Sequence, residues 1–208
     1  MTAKAYDVLL FDLGGVLIEL TGVPVMLAWT RGRYTEDQLW GKWLSSPAVR
    51  DFERGRTTPE QFGNAMVAEF DLPVSTEAFL SEFLFWPHRT YPGTRTLLRN
   101  LADRYTLASL SNISAMHWER VCAEMDLVPY FSANFPSFET GYVKPDAEAF
   151  VNALEALGCR PERALFMDDN AANVQAARSL GITAFTVSGL SGVQSALQKA
   201  AADCSFSR

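Results

Sequence analysis

Tyr6-Asp-Val-Leu-Leu-Phe-Asp12-Leu-Gly-Gly-Val16 is the stretch that decides the fold. Val8, Leu9, Leu10 and Phe11 form a short apolar run that stops at Asp12. Such a run reads as a buried strand, and Asp12 puts a carboxylate at its C-terminal end. Gly14 and Gly15 mark a tight turn immediately after it. Beyond Pro92-Gly93 the same theme repeats. The pattern predicts a helix over 94–104, a strand over 106–110 ending at Ser111, and a helix from Ser114. A short strand over 131–135 and a helix over 146–157, closed by Gly158, follow. A strand over 164–167 ends at Asp168, a helix covers 171–180, and a strand spans 182–187. Ser191-Gly-Val-Gln194 boxes the last helix, whose tail after Ala202 is expected to fray. Alternating strands and helices predict a mostly parallel α/β sheet covered on both faces.

Residues 18–90 break this alternation. Thr35-Glu-Asp-Gln38 and Thr58-Pro-Glu-Gln61 are capping boxes, each opening a helix. Ser46-Pro47 starts another that closes near Gly55, and Ser75 starts one reaching Phe85 before Pro87 stops it. The expected organisation is therefore a core of residues 1–17 and 91–208, with a small all-helical insertion at 18–90.

Composition bounds the function. Eighteen Lys and Arg face 24 Asp and Glu, a formal net charge of -6, and no basic run offers a nucleic-acid footprint. No apolar window reaches the ~18 residues of a membrane span, and the N-terminus lacks a secretory pattern. Cys122, Cys159 and Cys204 are odd in number and widely spaced, which fits reduced packing thiols in a cytoplasmic protein. With only His88 and His117, a His-rich metal site is excluded.

Three strands end in polar residues: Asp12, then Ser111-Asn112, then Asp168-Asp169. In open α/β sheets the site lies beyond the carboxyl ends of the strands, so these groups converge. Lys144, in Gly141-Tyr-Val-Lys144-Pro-Asp146, stands before a helix and joins them. Carboxylates with oxygen donors suit Mg²⁺, a lysine neutralises phosphoryl oxygens, and one carboxylate remains as nucleophile. The pattern points to phosphoryl transfer. Taken singly, each residue has a structural alternative: helix cap for Asp12, Asp168 and Asp169, turn residue for Ser111, and surface lysine for Lys144.

The four motifs together resemble the haloacid dehalogenase superfamily of hydrolases along essentially the whole chain. Phe11-Asp12-Leu-Gly-Gly-Val16, Leu110-Ser111-Asn112, Lys144-Pro145-Asp146 and Phe166-Met-Asp168-Asp169-Asn170 are similar to its motifs in order. Within it, the chain looks like a subgroup related to sugar-1-phosphate phosphatases. The resemblance implies a Rossmann-like core carrying a cap, and a small phosphorylated metabolite as substrate, hexose 1-phosphate among the options. It implies that Asp12 attacks phosphorus and that Mg²⁺ is held by Asp12, the Gly14 carbonyl and Asp168, with Asp169 nearby. Ser111, Asn112 and Lys144 grip the phosphoryl group. The superfamily's phosphatases usually place a second Asp two residues after the nucleophile, as general acid and base; here that position is Gly14. A substrate with a good leaving group, or His117 acting as the proton donor, answers that loss. The rivals are a 2-haloacid dehalogenase using the same Asp12 without metal, which the Asp168-Asp169 pair disfavours, and a non-catalytic ligand binder. A β-phosphonate hydrolase needs a cap lysine, and Lys42 is the only one available. In the insertion, Trp29, Trp40, Trp43 and Trp86 read mainly as core, and Arg31, Arg33, Arg50, Arg54, Arg56 and His88 as solvated charge. Oligomeric state is not legible.

Overall fold

A computed structural model describes residues 5–206, with side chains up to residue 201. The chain opens with β1 (Val8–Phe11), fully buried, then β2 (Ile18–Leu20). Five helices follow: α1 (Gly22–Trp29), α2 (Glu36–Ser45), α3 (Pro47–Glu53), α4 (Pro59–Glu69) and α5 (Thr76–Phe83). After β3 (Pro87–Thr90) come α6 (Thr94–Ala102), β4 (Thr106–Ser111), α7 (Ala115–Glu124), β5 (Ala133–Pro136) and the single turn α8 (Ser137–Thr140). The chain closes with α9 (Ala147–Ala156), β6 (Ala164–Asp168), α10 (Ala171–Ser179), β7 (Thr183–Thr186) and α11 (Gly189–Phe206).

The main sheet runs β5-β4-β1-β6-β7, all pairs parallel, with β1 in the middle. Successive side chains of a strand point to opposite faces, and both faces of β1 are covered. Leu9 and Phe11 pack with Leu107, Val121, Leu165 and Met167, whereas Val8 and Leu10 meet Ala108, Phe150 and Phe166 on the other face. Register sets Phe11 beside Ser109 and Met167. Asp12, Ser111 and Asp168 therefore leave the sheet at the same edge, as the alternating pattern predicts.

Some boundaries differ from the sequence reading. β5 starts at Ala133, not Phe131, whose ring packs against Phe11. The last helix begins at Gly189, so Ser191 lies within it and does not cap it. The cause is upstream: Val187 N–H bonds to the Asp168 carbonyl and Gly189 N–H to the Gly15 carbonyl, which turns the chain early. That helix continues to Phe206, past Ala202. Cys122 is exposed and Cys159 half-buried, both free, so Cys122 is no packing thiol; the Cys204 side chain lies outside the described residues. Among the described residues no helix is long and apolar enough to cross a membrane.

Helices α1–α5 share their own core, built from Met26, Leu39, Phe52, Phe62, Phe79 and Phe83 with their neighbours. Both capping boxes form, Thr35 with Gln38 and Thr58 with Gln61, and Ser46 and Ser75 cap α3 and α5. The insertion is not all helical. Its two crossings pair as antiparallel β2 and β3, joined by Arg89 and Glu19 at 3.0 Å. Short strands form there because the outgoing and returning chains run side by side, each with unpaired backbone to satisfy.

Helix α3 is pinned to the main sheet's layer. Arg50 and Arg54 both bind the Asp146 carboxylate, at 2.8 and 2.5 Å. Ser137 Oγ donates to the Glu53 carbonyl at 2.6 Å and accepts from Ile113 N–H at 2.9 Å. Gly55 permits this approach: its φ is +70°, and a Cβ there would stand 2.7 Å from the Phe138 carbonyl oxygen. Left-handed backbone alone costs a non-glycine residue about 1–2 kcal/mol. Gly55→Ala should therefore lower unfolding stability by at least about 1 kcal/mol in urea denaturation; an unchanged midpoint would contradict this seating of α3.

Candidate active site

Asp12 follows β1 directly, its N–H bonded to the Met167 carbonyl at 2.9 Å. Beside it Lys144 is buried, and all three ammonium protons are used. Lys144 Nζ donates to Asp12 Oδ1 at 2.9 Å, Asp168 Oδ2 at 2.6 Å and the Leu110 carbonyl at 2.7 Å. Burial works against the ammonium, but Asp12 and Asp168 outweigh it and hold Lys144 well above the usual lysine range. Asn112 fixes the backbone of Lys144 from both sides: Oδ1 accepts its N–H at 2.8 Å, and Nδ2 donates to its carbonyl at 2.9 Å. The Asn112 side chain thereby places the lysine, and it also hydrogen-bonds the Glu53 carboxyl.

Asp168 ends β6, fully buried, and accepts from Asn170 N–H at 2.7 Å and Asn173 Nδ2 at 3.1 Å. Asp169 is pushed up to about 7, first by burial and then by the negative charge of Asp12 and Asp168. Burial likewise raises Asp12, against the pull of Lys144. Ser111 is buried and hydrogen-bonds the Asp12 carboxyl. Asp12, Asp168 and Asp169 each offer an oxygen, all within 4.8 Å of one another. Gly14 lines the same cavity. Gly15, at φ +67°, has no room for a Cβ because the Asp169 carboxylate lies against it.

The sequence-predicted residues thus meet, with two qualifications. His117 lines the cavity but is buried under the insertion, its ring against Phe83. Its Nε2 lies 2.7 Å from the Phe83 carbonyl, which can only accept, so Nε2 carries the proton. Burial pushes the imidazole down to about 4, and Arg120 adds to this. The second is Gly14: a Cβ there would sit 3.1 Å from Leu20 Cδ1, so Leu20 fills the space of a side chain at this position.

Sequence reasoning missed Glu53. At the end of α3 it faces the cavity above Asp12, and its carboxyl is pushed up to about 7. Burial is the main cause; Asp12 adds to it, while Lys144, Arg50 and Asn112 oppose it. Within Arg50-Asp-Phe-Glu53-Arg54 it looks like any solvated helix carboxylate. Its only signal is its place beside buried Phe52, two residues before Gly55. Of the insertion's other charges, Arg33 binds Asp71 and the Phe70 carbonyl, and Arg56 pairs with Asp51. Trp40, Trp43 and Trp86 line the cavity, whereas Trp29 packs on Phe79.

A parallel α/β sheet with three carboxylates and a buried lysine at its C-terminal edge defines a hydrolase site of the acid-cluster type. The sequence profile of haloacid dehalogenase-like hydrolases matches residues 6–181, and the chain belongs to that family. It is 28% identical to drimenol cyclase drtB of Aspergillus calidoustus over 84% of this chain, which spans only 32% of that protein. It is 22% identical to D-ribitol-5-phosphate phosphatase of Bacteroides thetaiotaomicron, covering 85% of this chain and 89% of the relative. Among solved structures, a haloacid dehalogenase-family enzyme of Bacteroides thetaiotaomicron, bt-2542, complexed with magnesium and inorganic phosphate, superposes with a TM-score of 0.71 at 26% identity, covering 88% of this chain and 94% of that one.

The His117 environment makes a pH prediction. Its folded pKa, about 4, lies below its ordinary 6.5. Between these values the unfolded chain binds the proton and the folded chain does not, so stability falls as pH drops through this window. The wild type should lose up to about 1.4 kcal/mol per pH unit there, relative to His117→Gln. Parallel stability curves for the two proteins would show that His117 titrates freely.

Proposed function

We propose that this protein is a Mg²⁺-dependent phosphatase that hydrolyses a small phosphorylated metabolite through an aspartyl-phosphate on Asp12. The single observation that carries the reading is the Asp12–Lys144–Asp168 cluster beside Asp169, a preorganised set of charges at the mouth of the sheet. The carboxylates of Asp12, Asp168 and Asp169 are hard oxygen donors close enough to share one ion, which fits Mg²⁺, and the Gly14 carbonyl would join them. Bound there, the ion supplies positive charge against the phosphoryl oxygens. The acidic pair gives this reading its advantage over carbon-centred dehalogenation, which has no use for it.

Asp12 Oδ1 is held by Lys144, leaving Oδ2 to attack phosphorus. The new bond forms from Asp12 Oδ2 to phosphorus as the ester P–O bond breaks, and the departing alkoxide takes a proton. Ser111 Oγ and the charge of Lys144 steady the phosphoryl oxygens. Glu53 is the proton source: it lines the cavity from the insertion, and burial pushes its carboxyl up to about 7, so that both its acid and its carboxylate forms are present near neutrality. His117 is less suited, because its one proton is held by the Phe83 carbonyl. In the second half, the Glu53 carboxylate takes a proton from water as that water attacks phosphorus and Asp12 is released. On this reading residues 18–90 act as a cap that completes the site, and the chain works in the cytoplasm without nucleic-acid or membrane partners. Gly14 considered alone favours an easily departing alcohol such as that of hexose 1-phosphate; a proton donor at Glu53 loosens that restriction.

Phosphate release from a panel of esters tests the reading. Release should require Mg²⁺, stop with EDTA and vanish in Asp12→Asn; metal-independent release retained by Asp12→Asn would overturn it. Glu53→Gln should slow phosphoenzyme formation from alkyl esters by about 10²–10⁴-fold while sparing its formation from acetyl phosphate, whose leaving group needs no proton, and the shared water step should slow for both. Equal losses in the formation step on both substrates would remove Glu53 as the proton donor.

A further inference from the structure

The cavity above Asp12 is about 510 Å³, within the ~300–1,000 Å³ range of small-molecule sites. Its floor is charged, and much of its upper wall is apolar, with Glu36, Asp37 and Glu53 as charged exceptions. Above the carboxylates it is walled by Leu20, Val23, Trp40, Trp43, Leu44 and Trp86. Leu20 and Leu44 are 42% and 41% exposed, two of five large apolar side chains left open among the described residues. Both open onto one cavity, continuous with the carboxylate cluster. A bound apolar group would cover both.

A polyol or sugar needs several placed donors and acceptors, because each buried hydroxyl left unpaired costs affinity. On the side formed by α1, α2 and Trp86 the cavity offers few beyond indole N–H groups, of which Trp86 Nε1 has no partner, while Tyr91, Asn170 and Ser188 line it elsewhere. His117 is already bonded to the Phe83 carbonyl. The polar side chains lining its α2 wall are Glu36 and Asp37, both exposed in the first turn of that helix. These carboxylates repel a second anionic group on the ligand. Leu20, in the space beside Gly14, extends the apolar wall down toward the phosphate position.

Resting on the phosphatase reading above, we infer that the substrate is a monophosphate ester of an apolar alcohol, alkyl or isoprenoid in character, with its hydrocarbon body against α1, α2 and Trp86. The ester is hydrolysed to the free alcohol and inorganic phosphate. Such a substrate must come from a reaction that phosphorylates an apolar alcohol or removes one phosphate from its diphosphate.

A chain-length series decides it. For ethyl, butyl, hexyl and octyl phosphate, kcat/KM should rise about threefold per added methylene, and octyl phosphate should exceed glucose 1-phosphate and ribitol 5-phosphate by at least tenfold. Leu44→Asp, at an exposed position that leaves the fold intact, should flatten the slope. Binding of the matching alkylphosphonates, followed by calorimetry, should show the same slope without turnover. Acetyl phosphate reports the chemistry at Asp12 without using the apolar wall. If acetyl phosphate is hydrolysed but both slopes are flat, or the sugar phosphates are preferred, the substrate inference is wrong and the phosphatase reading stands. If no phosphate compound is turned over, the phosphatase reading fails; flat phosphonate binding would then remove the apolar site as well.

Discussion

The structure depends on one buried cation. Lys144 sits between Asp12 and Asp168, carried by neither strand, with the Leu110 carbonyl taking its third proton. Two carboxylates at the ends of adjacent parallel strands repel each other in a site of low dielectric. The ammonium makes their close approach tolerable, and removing one partner of such a buried cluster typically costs about 3–5 kcal/mol. Much of the surrounding structure serves this placement. Asn112 grips the lysine backbone, Asn173 occupies the remaining face of Asp168, and Gly15 yields space to Asp169. The same geometry holds the Asp12 carboxyl between Lys144 and Ser111 at the floor of the cavity.

The insertion answers two needs with the same helices. Its aromatic core, with Phe52 stacked on Phe62 at 4.1 Å, makes α3 a rigid arm. Arg50 and Arg54 on Asp146, with Ser137 on the Glu53 carbonyl, press that arm against the sheet. Glu53 is thereby delivered to the cavity that Asp12 and Gly14 also line. With glycine at position 14, Leu20 packs against the turn and makes that part of the wall apolar. On this account the absence of a second acid in the Asp12 turn and the apolar wall beside it go together.

The sheet was legible because its strands carry unbroken apolar runs ending in polar residues, a pattern that parallel pairing imposes on both faces. The helices of the insertion were legible through Thr35-Gln38 and Thr58-Gln61, where capping chemistry writes the start into four residues. What escaped were contacts that only tertiary structure creates. β2 and β3 are three and four residues long and exist because two crossings lie side by side. Helix α1 has no side-chain cap and carries Pro24, so nothing announces its start. Asp12, Ser111, Lys144, Asp168 and Asp169 were readable because each follows a strand end or sits in a short motif. Glu53 was not, since a glutamate among arginines on a helix is ordinary until the helix is known to face a carboxylate cluster. His117 was noticed for its chemistry, but the Phe83 carbonyl that occupies its proton lies 34 residues away in sequence.

The central claim is that Asp12 itself bonds to phosphorus, and acid-quenched peptide mass spectrometry tests it most directly. After brief incubation of the Glu53→Gln protein with Mg²⁺ and acetyl phosphate, the account predicts one phosphoryl group on the peptide containing Asp12, lost on treatment with hydroxylamine. Phosphate turnover with the label on another residue, or with no labelled peptide under any quench time, would contradict it.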